Sequence, residues 1–231
     1  MRQPADPTIW CPPARMQALP LQDTTQNLHS NLILHWHLAP TLATSQDMSE
    51  FDFLSGIDDV PPTPILIAPQ PVLREVTRDV RPEDIAFIRE QLPGMFSAMY
   101  KAPGIGLAAP QVGLGMRFAL VDVAEEDAPR EPMLLINPEI ISDSDQLAAR
   151  EEGCLSLPNQ YAEVVRPESI RVRYRNLAGE TIERDASGLL ATCIQHEMDH
   201  LDGILFVDHL STLKRNMIMR RLAKEQKLRR H

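Results

Sequence analysis

Two histidines four residues apart are the side chains of this sequence best suited to chemistry. They are His196 and His200, with Glu197 directly after the first. On an α-helix, positions i and i+4 share one face with their Cβ atoms about 5 to 6 Å apart, so both imidazoles can bind one metal ion. Glu197 lies three residues before His200 and leans toward the same face, where it could carry a proton. The pattern is typical of a metal-assisted hydrolase.

The residues around this pattern indicate a buried helix, although two histidines at this spacing also occur by chance on ordinary surface helices. Ser187 is a plausible N-cap and Gly203 a plausible C-terminal stop. Between them an apolar stripe recurs at helical spacing, formed by Leu189, Leu190, Ile194 and Leu201. The sequence therefore predicts that the histidines project from a helix packed in the core.

A catalytic metal bound by two histidines needs a third protein ligand. Downstream, His209 and Glu225 belong to no matching motif. Upstream, Cys154 follows Gly153, where the backbone can come close to a ligand, and it is the better candidate. The alternative reading of Cys154 is a small buried apolar residue, and this is the expected role of Cys193, three residues before His196.

A third segment, residues 104–111, combines two glycines and several small residues with the amide side chain of Gln111. It has no Lys-Ser/Thr pair and no strand leads directly into it, so it does not match a phosphate-binding loop. Taken alone, it predicts a tight turn beside a closely packed strand.

Composition limits the architecture to one catalytic domain with an appendage. The chain has 231 residues, of which 43% are hydrophobic, and its three cysteines are too widely spaced for a disulfide framework. No apolar run approaches the roughly 18 residues needed to cross a bilayer. A reducing cytoplasm fits this composition best.

The C-terminal end is basic although the whole chain carries a net charge of −9. Residues 211–231 hold eight Lys or Arg against one acid, which leaves −16 on the rest of the chain. Apolar residues recur among these charges at helical spacing, namely Leu210, Leu213, Met217, Ile218 and Leu222. The pattern predicts an amphipathic helix whose basic end could bind an anionic partner such as RNA, or could be a solvated helix end that binds nothing.

The N-terminal region has a different composition from the rest. Residues 1–47 contain both tryptophans and six prolines but no Lys, Glu or Gly, and they show no clear period and no secretory signal. We expect residues 1–60 to be a disordered or artefactual extension and linker, with Met48 as a candidate natural start, and residues 61–231 to be the catalytic domain.

The remaining pattern predicts an α+β fold with mainly antiparallel sheets. A helix should begin near Pro82 and be kinked or split at Pro93-Gly94. Five strands are predicted at residues 116–123, 133–136, 161–165, 169–175 and 181–185, with a hairpin turn at residues 176–179. Because the strands are grouped between helices, the sheets should pack around a central metal-binding helix, followed by the C-terminal amphipathic helix.

Taken together, residues 62–215 resemble the peptide deformylase family, which removes the N-terminal formyl group of nascent polypeptides. The resemblance is carried by three motifs in order, at residues 104–111, 152–156 and 195–200. It implies an active enzyme in which Cys154, His196 and His200 hold one divalent metal ion, most often Fe²⁺, with Zn²⁺, Ni²⁺ or Co²⁺ as substitutes. It also implies that the substrates are formylated nascent peptides in the cytoplasm and that the basic C-terminal helix contacts the ribosome.

The same resemblance implies roles for the other site residues. Glu197 would accept the proton of the attacking water, and the Gln111 amide and the Leu155 backbone N–H would stabilise the oxyanion. The implied substrate-binding residues are Ile105, Gly106, Gly153, Leu189, Thr192 and Cys193. Thr192 departs from the aliphatic residue expected there, which bears on the preference for methionine.

Two other functions remain open from the sequence. A two-histidine zinc endopeptidase would retain its metal when Cys154 is replaced by Ser. A non-catalytic ribosome-associated protein on the same scaffold would have no use for both Glu197 and Gln111.

Overall fold

A computed structural model describes residues 51–125 and 128–229, and residues 53–229 belong to one compact body. The predicted extension up to residue 50, including the candidate start at Met48, lies outside the described residues. These described residues form three α-helices: α1 (Ile85–Lys101), α2 (Gly188–Leu201) and α3 (Thr212–Arg229). Short 3₁₀ helices lie at Asp52–Asp59, Pro71–Arg74, Pro82–Asp84, Ala109–Val112 and Phe206–His209.

In the part of the chain that the structure describes, seven strands form two antiparallel sheets. The strands are β1 (Gly106–Ala108), β2 (Phe118–Val121), β3 (Met133–Asp143), β4 (Leu147–Cys154), β5 (Leu157–Pro167), β6 (Ser169–Arg175) and β7 (Thr181–Ser187). The larger sheet has the order β1-β2-β3-β6-β7, and β4 and β5 form a separate hairpin. Every pairing between these strands is antiparallel, and the predicted α+β class is confirmed.

Helix α2 lies in the core because its apolar stripe faces the larger sheet. Ala191 and Ile194 are fully buried and belong to one apolar cluster with residues of β2, β3, β6 and β7. Ser187 occupies the N-cap position, although its hydroxyl makes no capping hydrogen bond. The helix ends before Gly203, which has φ of +72° and whose Cβ position would lie 2.6 Å from the Arg74 carbonyl oxygen. Both ends of the metal-binding helix are therefore where the sequence predicts them.

Three local features refine the sequence prediction. Strand β4 is absent from that prediction, because its Ala, Arg and Glu residues lack the β-branched character used to recognise strands. Of the kink or split predicted at Pro93-Gly94, the split is excluded, since helix α1 continues through Pro93 to Lys101. Within the predicted linker that ends at residue 60, Ile57 is buried and the carbonyl of Val60 accepts a hydrogen bond from the Ser97 hydroxyl at 2.6 Å.

The C-terminal helix α3 packs on the body through fewer apolar residues than predicted. Leu222 is 1% exposed and Ile218 is 8% exposed, within the cluster that also holds Cys154. Leu213 and Met217, assigned to the same apolar face, are 73% and 54% exposed. Half of the predicted apolar face of α3 is thus presented to solvent. None of the described helices combines the length and apolarity required to traverse a membrane.

Candidate active site and metal centre

Helix α2 presents its two histidines to the end of strand β4. The imidazole rings of His196 and His200 have centroids 5.1 Å apart and meet edge to face at 75°. Cys154, the last residue of β4, places its Sγ atom 3.1 Å from His200 Nε2. One ligand atom from each of the three residues lies within 4.8 Å of the other two.

This cluster fits a metal ion. A tetrahedral ion holds thiolate sulfur at about 2.3 Å and imidazole nitrogen at about 2.0 to 2.1 Å, so its ligand atoms must converge to about 3.5 Å of one another. All three residues are buried, at 7% exposure or less. Within residues 51–125 and 128–229, no other group of three such ligands converges in this way.

Glu152 orients the first histidine. Its Oε2 atom lies 2.9 Å from His196 Nδ1, so Nε2 is the ring nitrogen of His196 that would bind a metal. The Arg166 guanidinium binds the same carboxylate through Nε at 2.5 Å and Nη2 at 3.0 Å. Burial opposes the charged form of Glu152, but the hydrogen bonds from His196 and Arg166 outweigh it and lower the pKa of this carboxyl to about 2. The ring is therefore held by a partner that is ionised at neutral pH.

Glu197 is a buried carboxyl that forms no salt bridge with any residue in the described ranges. It is 3% exposed, and its Oε2 atom hydrogen-bonds to no other group of the described chain. Burial raises the pKa of Glu197 to about 7, against the opposing influence of His196. A carboxyl with such a pKa can both take up and release a proton near neutral pH.

Gly106 allows strand β1 to approach this carboxyl. A Cβ atom at Gly106 would lie 2.7 Å from Glu197 Cδ and 2.9 Å from Cys193 Sγ, both shorter than a van der Waals contact. β1 is also the edge strand of the larger sheet, paired only with β2. The glycine therefore brings a free backbone edge directly beside the candidate proton carrier.

Gln111 is fixed with its amide nitrogen toward the cluster. Its Oε1 atom accepts the Ala108 N–H at 2.7 Å, and its Nε2 atom donates to Ser156 Oγ at 3.2 Å and to Cys154 Sγ at 3.6 Å. The acceptor role of Oε1 determines which end of the amide faces the metal ligands.

Leu155 occupies the turn that joins β4 to β5. The strand register shifts between Gly153 and Cys154, and the next pair in the ladder is Cys154 with Leu157. This irregularity places the Leu155 backbone in the turn, outside the regular ladder.

One cleft brings most of the predicted site residues together. Its lining is formed by Gly104, Ile105, Gly106, Gln111, Gly153, Cys154, Leu155, His196 and Glu197. His200 does not line the cleft, but it joins the cluster through its contact with Cys154.

Three predicted substrate-binding residues do not line this cleft. Leu189 and Thr192 lie earlier on α2, and the Thr192 hydroxyl donates to the Gly188 carbonyl at 3.1 Å. Cys193 Sγ donates to the Ile105 carbonyl at 3.3 Å, and burial, followed by the charge of Glu197, raises the pKa of this thiol well above its ordinary value. Cys193 is thus a packed thiol beside the site, as the sequence indicates.

The sequence assigned no role to Glu152 or Arg166, although Glu152 lies within a motif. Only the structure reveals the pair, because Glu152 is fully buried and Arg166 is 6% exposed. Charged residues are almost never fully buried unless they are paired, and no local sequence pattern marked these two positions as inward.

A buried cluster of two histidines and one cysteine that could hold a metal ion, beside a carboxyl whose pKa is raised to about 7, is the kind of site that metal-dependent hydrolases use to activate water. The polypeptide deformylase model matches residues 62–216. The chain belongs to the polypeptide deformylase family, and its activity is the hydrolytic removal of a formyl group from a peptide N-terminus. The family uses a metal ion, in agreement with the Cys/His/His cluster.

Relatives and solved structures agree with this assignment. The peptide deformylase of Rhodopseudomonas palustris (strain TIE-1) is 50% identical over 165 residues, which cover 71% of this chain and 94% of that protein. The Legionella pneumophila peptide deformylase structure superposes with a TM-score of 0.66 at 40% identity, covering 74% of this chain and 98% of that one. A Met-Ala-Ser bound class I type b peptide deformylase from Acinetobacter baumannii gives a TM-score of 0.61 at 33% identity, with coverage of 65% and 99%.

Proposed function

We propose that this chain deformylates N-terminal formylmethionine by a mechanism in which each cleft residue has a distinct role. Cys154, His196 and His200 would hold one divalent ion, which supplies Lewis acidity toward water and the formyl carbonyl. Glu197 is the proton carrier. The observation that supports this role most strongly is that Glu197 is buried, pairs with no charged group among the described residues, and has its pKa raised to about 7 next to the proposed ligands.

Glu197 acts twice in this mechanism. It accepts a proton from the water that attacks the formyl carbon, and it returns this proton to the amine nitrogen as the C–N bond breaks, so that formate and a free amine leave. A carboxyl with a pKa near the working pH is suited to both transfers. Proton transfer by a positioned group is worth roughly 10²- to 10⁴-fold in rate.

The oxyanion that develops on the formyl oxygen requires fixed hydrogen-bond donors. Gln111 Nε2 faces the cluster because Oε1 is held by the Ala108 N–H. The Leu155 backbone N–H in the neighbouring turn is the second proposed donor. Loss of one such donor costs about 10²- to 10³-fold in turnover.

The substrate peptide would bind by strand addition. Ile105 directly precedes the edge strand β1, Gly106 begins it, and Gly153 lines the same cleft. An extended peptide between them would gain main-chain hydrogen bonds, which do not depend on its sequence. The Met-Ala-Ser complex of the A. baumannii relative supports a methionine-first peptide as ligand. Leu189, Thr192 and Cys193 remain the proposed contacts of the methionine side chain.

We propose Fe²⁺ as the working ion, since the family resemblance implies it. The ligand types also suit Zn²⁺, Ni²⁺ and Co²⁺. Protein purified without oxygen and analysed for metal content should contain close to one Fe²⁺ per chain, and its activity should fall as iron is oxidised in air. Full activity with zinc alone would contradict this assignment.

The test of the mechanism is formate release from formyl-Met-Ala-Ser by anaerobically purified protein. Glu197→Ala should retain the metal and lose turnover by at least about 10²-fold, because only the proton carrier is removed. Cys154→Ser should lose both metal and turnover. The matched control is Cys193→Ser, which changes a buried thiol of the same neighbourhood and should retain the metal.

Two outcomes would contradict the proposal. Metal retention and activity in Cys154→Ser would favour the two-histidine endopeptidase, which should also cleave internal bonds of an acetylated peptide. A Glu197→Ala variant with parental turnover would show that another group carries the proton.

We also propose that helix α3 docks on the ribosome in the cytoplasm. Its exposed surface carries Lys214, Arg220, Arg221, Lys224 and Lys227 beside exposed Leu213. Clustered cations bind nucleic acid with a steep salt dependence. Deleting the helix would be a poor test, because Ile218 and Leu222 are part of the core.

Charge reversal tests this docking without removing the helix. Arg221→Glu with Lys224→Glu should weaken co-sedimentation with ribosomes and leave formate release from a short peptide unchanged. The control is Arg171→Glu with Arg173→Glu on strand β6, which changes the net charge equally at a distant surface. Equal loss of co-sedimentation in both double variants would show that net charge alone is responsible.

A further inference from the structure

A chain of polar contacts leads from the first histidine ligand to the protein surface. The Arg166 guanidinium, which binds Glu152, also places Nη2 2.9 Å from Asp199 Oδ2. The same Asp199 oxygen lies 2.7 Å from Nε2 of His209. His196, Glu152, Arg166, Asp199 and His209 therefore form one continuous series in which every contact is 2.9 Å or shorter.

Solvent exposure rises steadily along this series. The side chain of Glu152 is fully buried, Arg166 is 7% exposed, Asp199 18% and His209 34%. The series also returns to the metal-binding helix, because Asp199 directly precedes His200 in α2. Arg166 thus ties strand β4 to helix α2, the two elements that supply all three proposed ligands.

We propose that His209 is a positioning residue for the metal centre, acting through Asp199 and Arg166. A carboxylate oxygen only accepts hydrogen bonds, so Nε2 of His209 donates to Asp199. This donor restrains the carboxylate that binds Arg166, and Arg166 in turn restrains the carboxylate that orients the His196 ring. The inference rests on the metal centre under "Proposed function", but its test does not depend on the substrate.

The position of His209 is itself fixed by its neighbour. Asp208 accepts the Leu205 N–H at 2.9 Å and forms an ion pair with Arg74. Both contacts hold the short 3₁₀ helix Phe206–His209 against the body. A histidine on this anchored turn can restrain Asp199 in a way that a freely rotating surface side chain could not.

The expected effect is moderate because His209 acts at a distance. Replacing a residue that directly contacts a metal ligand costs typically 10- to 100-fold in metal affinity. His209 is separated from His196 by three residues of the series and is partly solvated, so we expect His209→Ala to accelerate metal release by about 3- to 10-fold.

The experiment measures release of Co²⁺ from loaded protein into excess chelator, together with the visible absorption spectrum of the Co²⁺ form. His209→Gln should restore the parental release rate, because its amide can donate to Asp199. In an Asp199→Ala background, His209→Ala should add no further acceleration. The control is Glu183→Ala, which removes exposed ion pairs with Arg171 and Arg173 and should leave release unchanged.

Three results would overturn the inference. The first is that His209→Ala matches the parent in metal release rate and spectrum. The second is that Glu183→Ala accelerates metal release as much as His209→Ala does. The third is that His209→Gln fails to restore the parental release rate. A lower thermal midpoint of metal-free His209→Ala with an unchanged release rate would indicate a purely structural role and would also overturn it. Accelerated release in a protein that fails to deformylate peptides would uphold this inference while refuting the proposed function.

Discussion

Replacement of Gly106 by alanine should inactivate the enzyme while leaving it folded. The new Cβ atom would lie 2.7 Å from Glu197 Cδ, whereas carbon atoms pack at about 3.5 to 4.0 Å. The carboxyl group must therefore retreat by about 1 Å. Because it is the end of a flexible side chain, it can do so at a cost in unfolding free energy of about 1 to 3 kcal/mol.

The same displacement should also slow the reaction. A misplacement of about 1 Å in a reacting group lowers turnover by about 10²-fold, equivalent to about 2.7 kcal/mol of activation free energy. Formate release under saturating peptide should show this loss in kcat with little change in KM. A rise in KM with unchanged kcat would mean instead that the methyl group obstructs the peptide.

Two further variants separate this explanation from a general effect of alanine. Gly115→Ala adds a methyl group with no atom within 4 Å and should match the parent in rate and stability. In a Glu197→Ala background, Gly106→Ala should be less destabilising than in the parent, because the carboxyl group is absent. A Gly106→Ala enzyme that turns over within threefold of the parent would refute the reasoning.

The remaining predictions concern stability. The pKa of Glu152 is lowered from 4.5 to about 2. As the pH falls between these two values, metal-free protein should therefore lose about 3 kcal/mol of unfolding free energy. Denaturant titrations of Glu152→Gln should not show this loss. Leu222→Ala should lower the free energy of unfolding by about 2 to 5 kcal/mol, because Leu222 is buried. Leu213→Ala, on the exposed face of α3, should lower it by less than about 0.5 kcal/mol, as measured by thermal melting. Gly203→Ala should lower the free energy of unfolding by more than about 1 kcal/mol, because φ is +72° and the Arg74 backbone blocks the position of the new Cβ atom. An unchanged melting midpoint would contradict this prediction.

The histidine pair of the proposed ligand set was accessible from the sequence because it depends on local spacing. The four-residue interval between His196 and His200 fixes their common helix face before any tertiary contact is known. Ser187 and Gly203 mark the ends of that helix by the same local chemistry, and both lie where they were predicted. Strand β6 was predicted at its observed bounds because its side chains alternate strictly.

Other features depended on contacts that no local pattern encodes. The apolar positions of α3 are spaced for a helix, but only packing against the body decides that Ile218 and Leu222 are buried while Leu213 and Met217 are exposed. Strand β4 has too few β-branched residues to be recognised alone, and it is defined by its pairing with β5.

The sequence by itself determined which residue types could bind a metal and carry a proton, because these depend on side-chain chemistry and helical periodicity. Tertiary structure decided how those residues are oriented. Glu152 reaches His196 across 44 residues of sequence, and Gln111 reaches Cys154 across 43. The raised pKa of Glu197 likewise arises from burial by the whole fold. Hydrogen-bond direction and desolvation are properties of the three-dimensional surroundings, and spacing along the chain does not specify them.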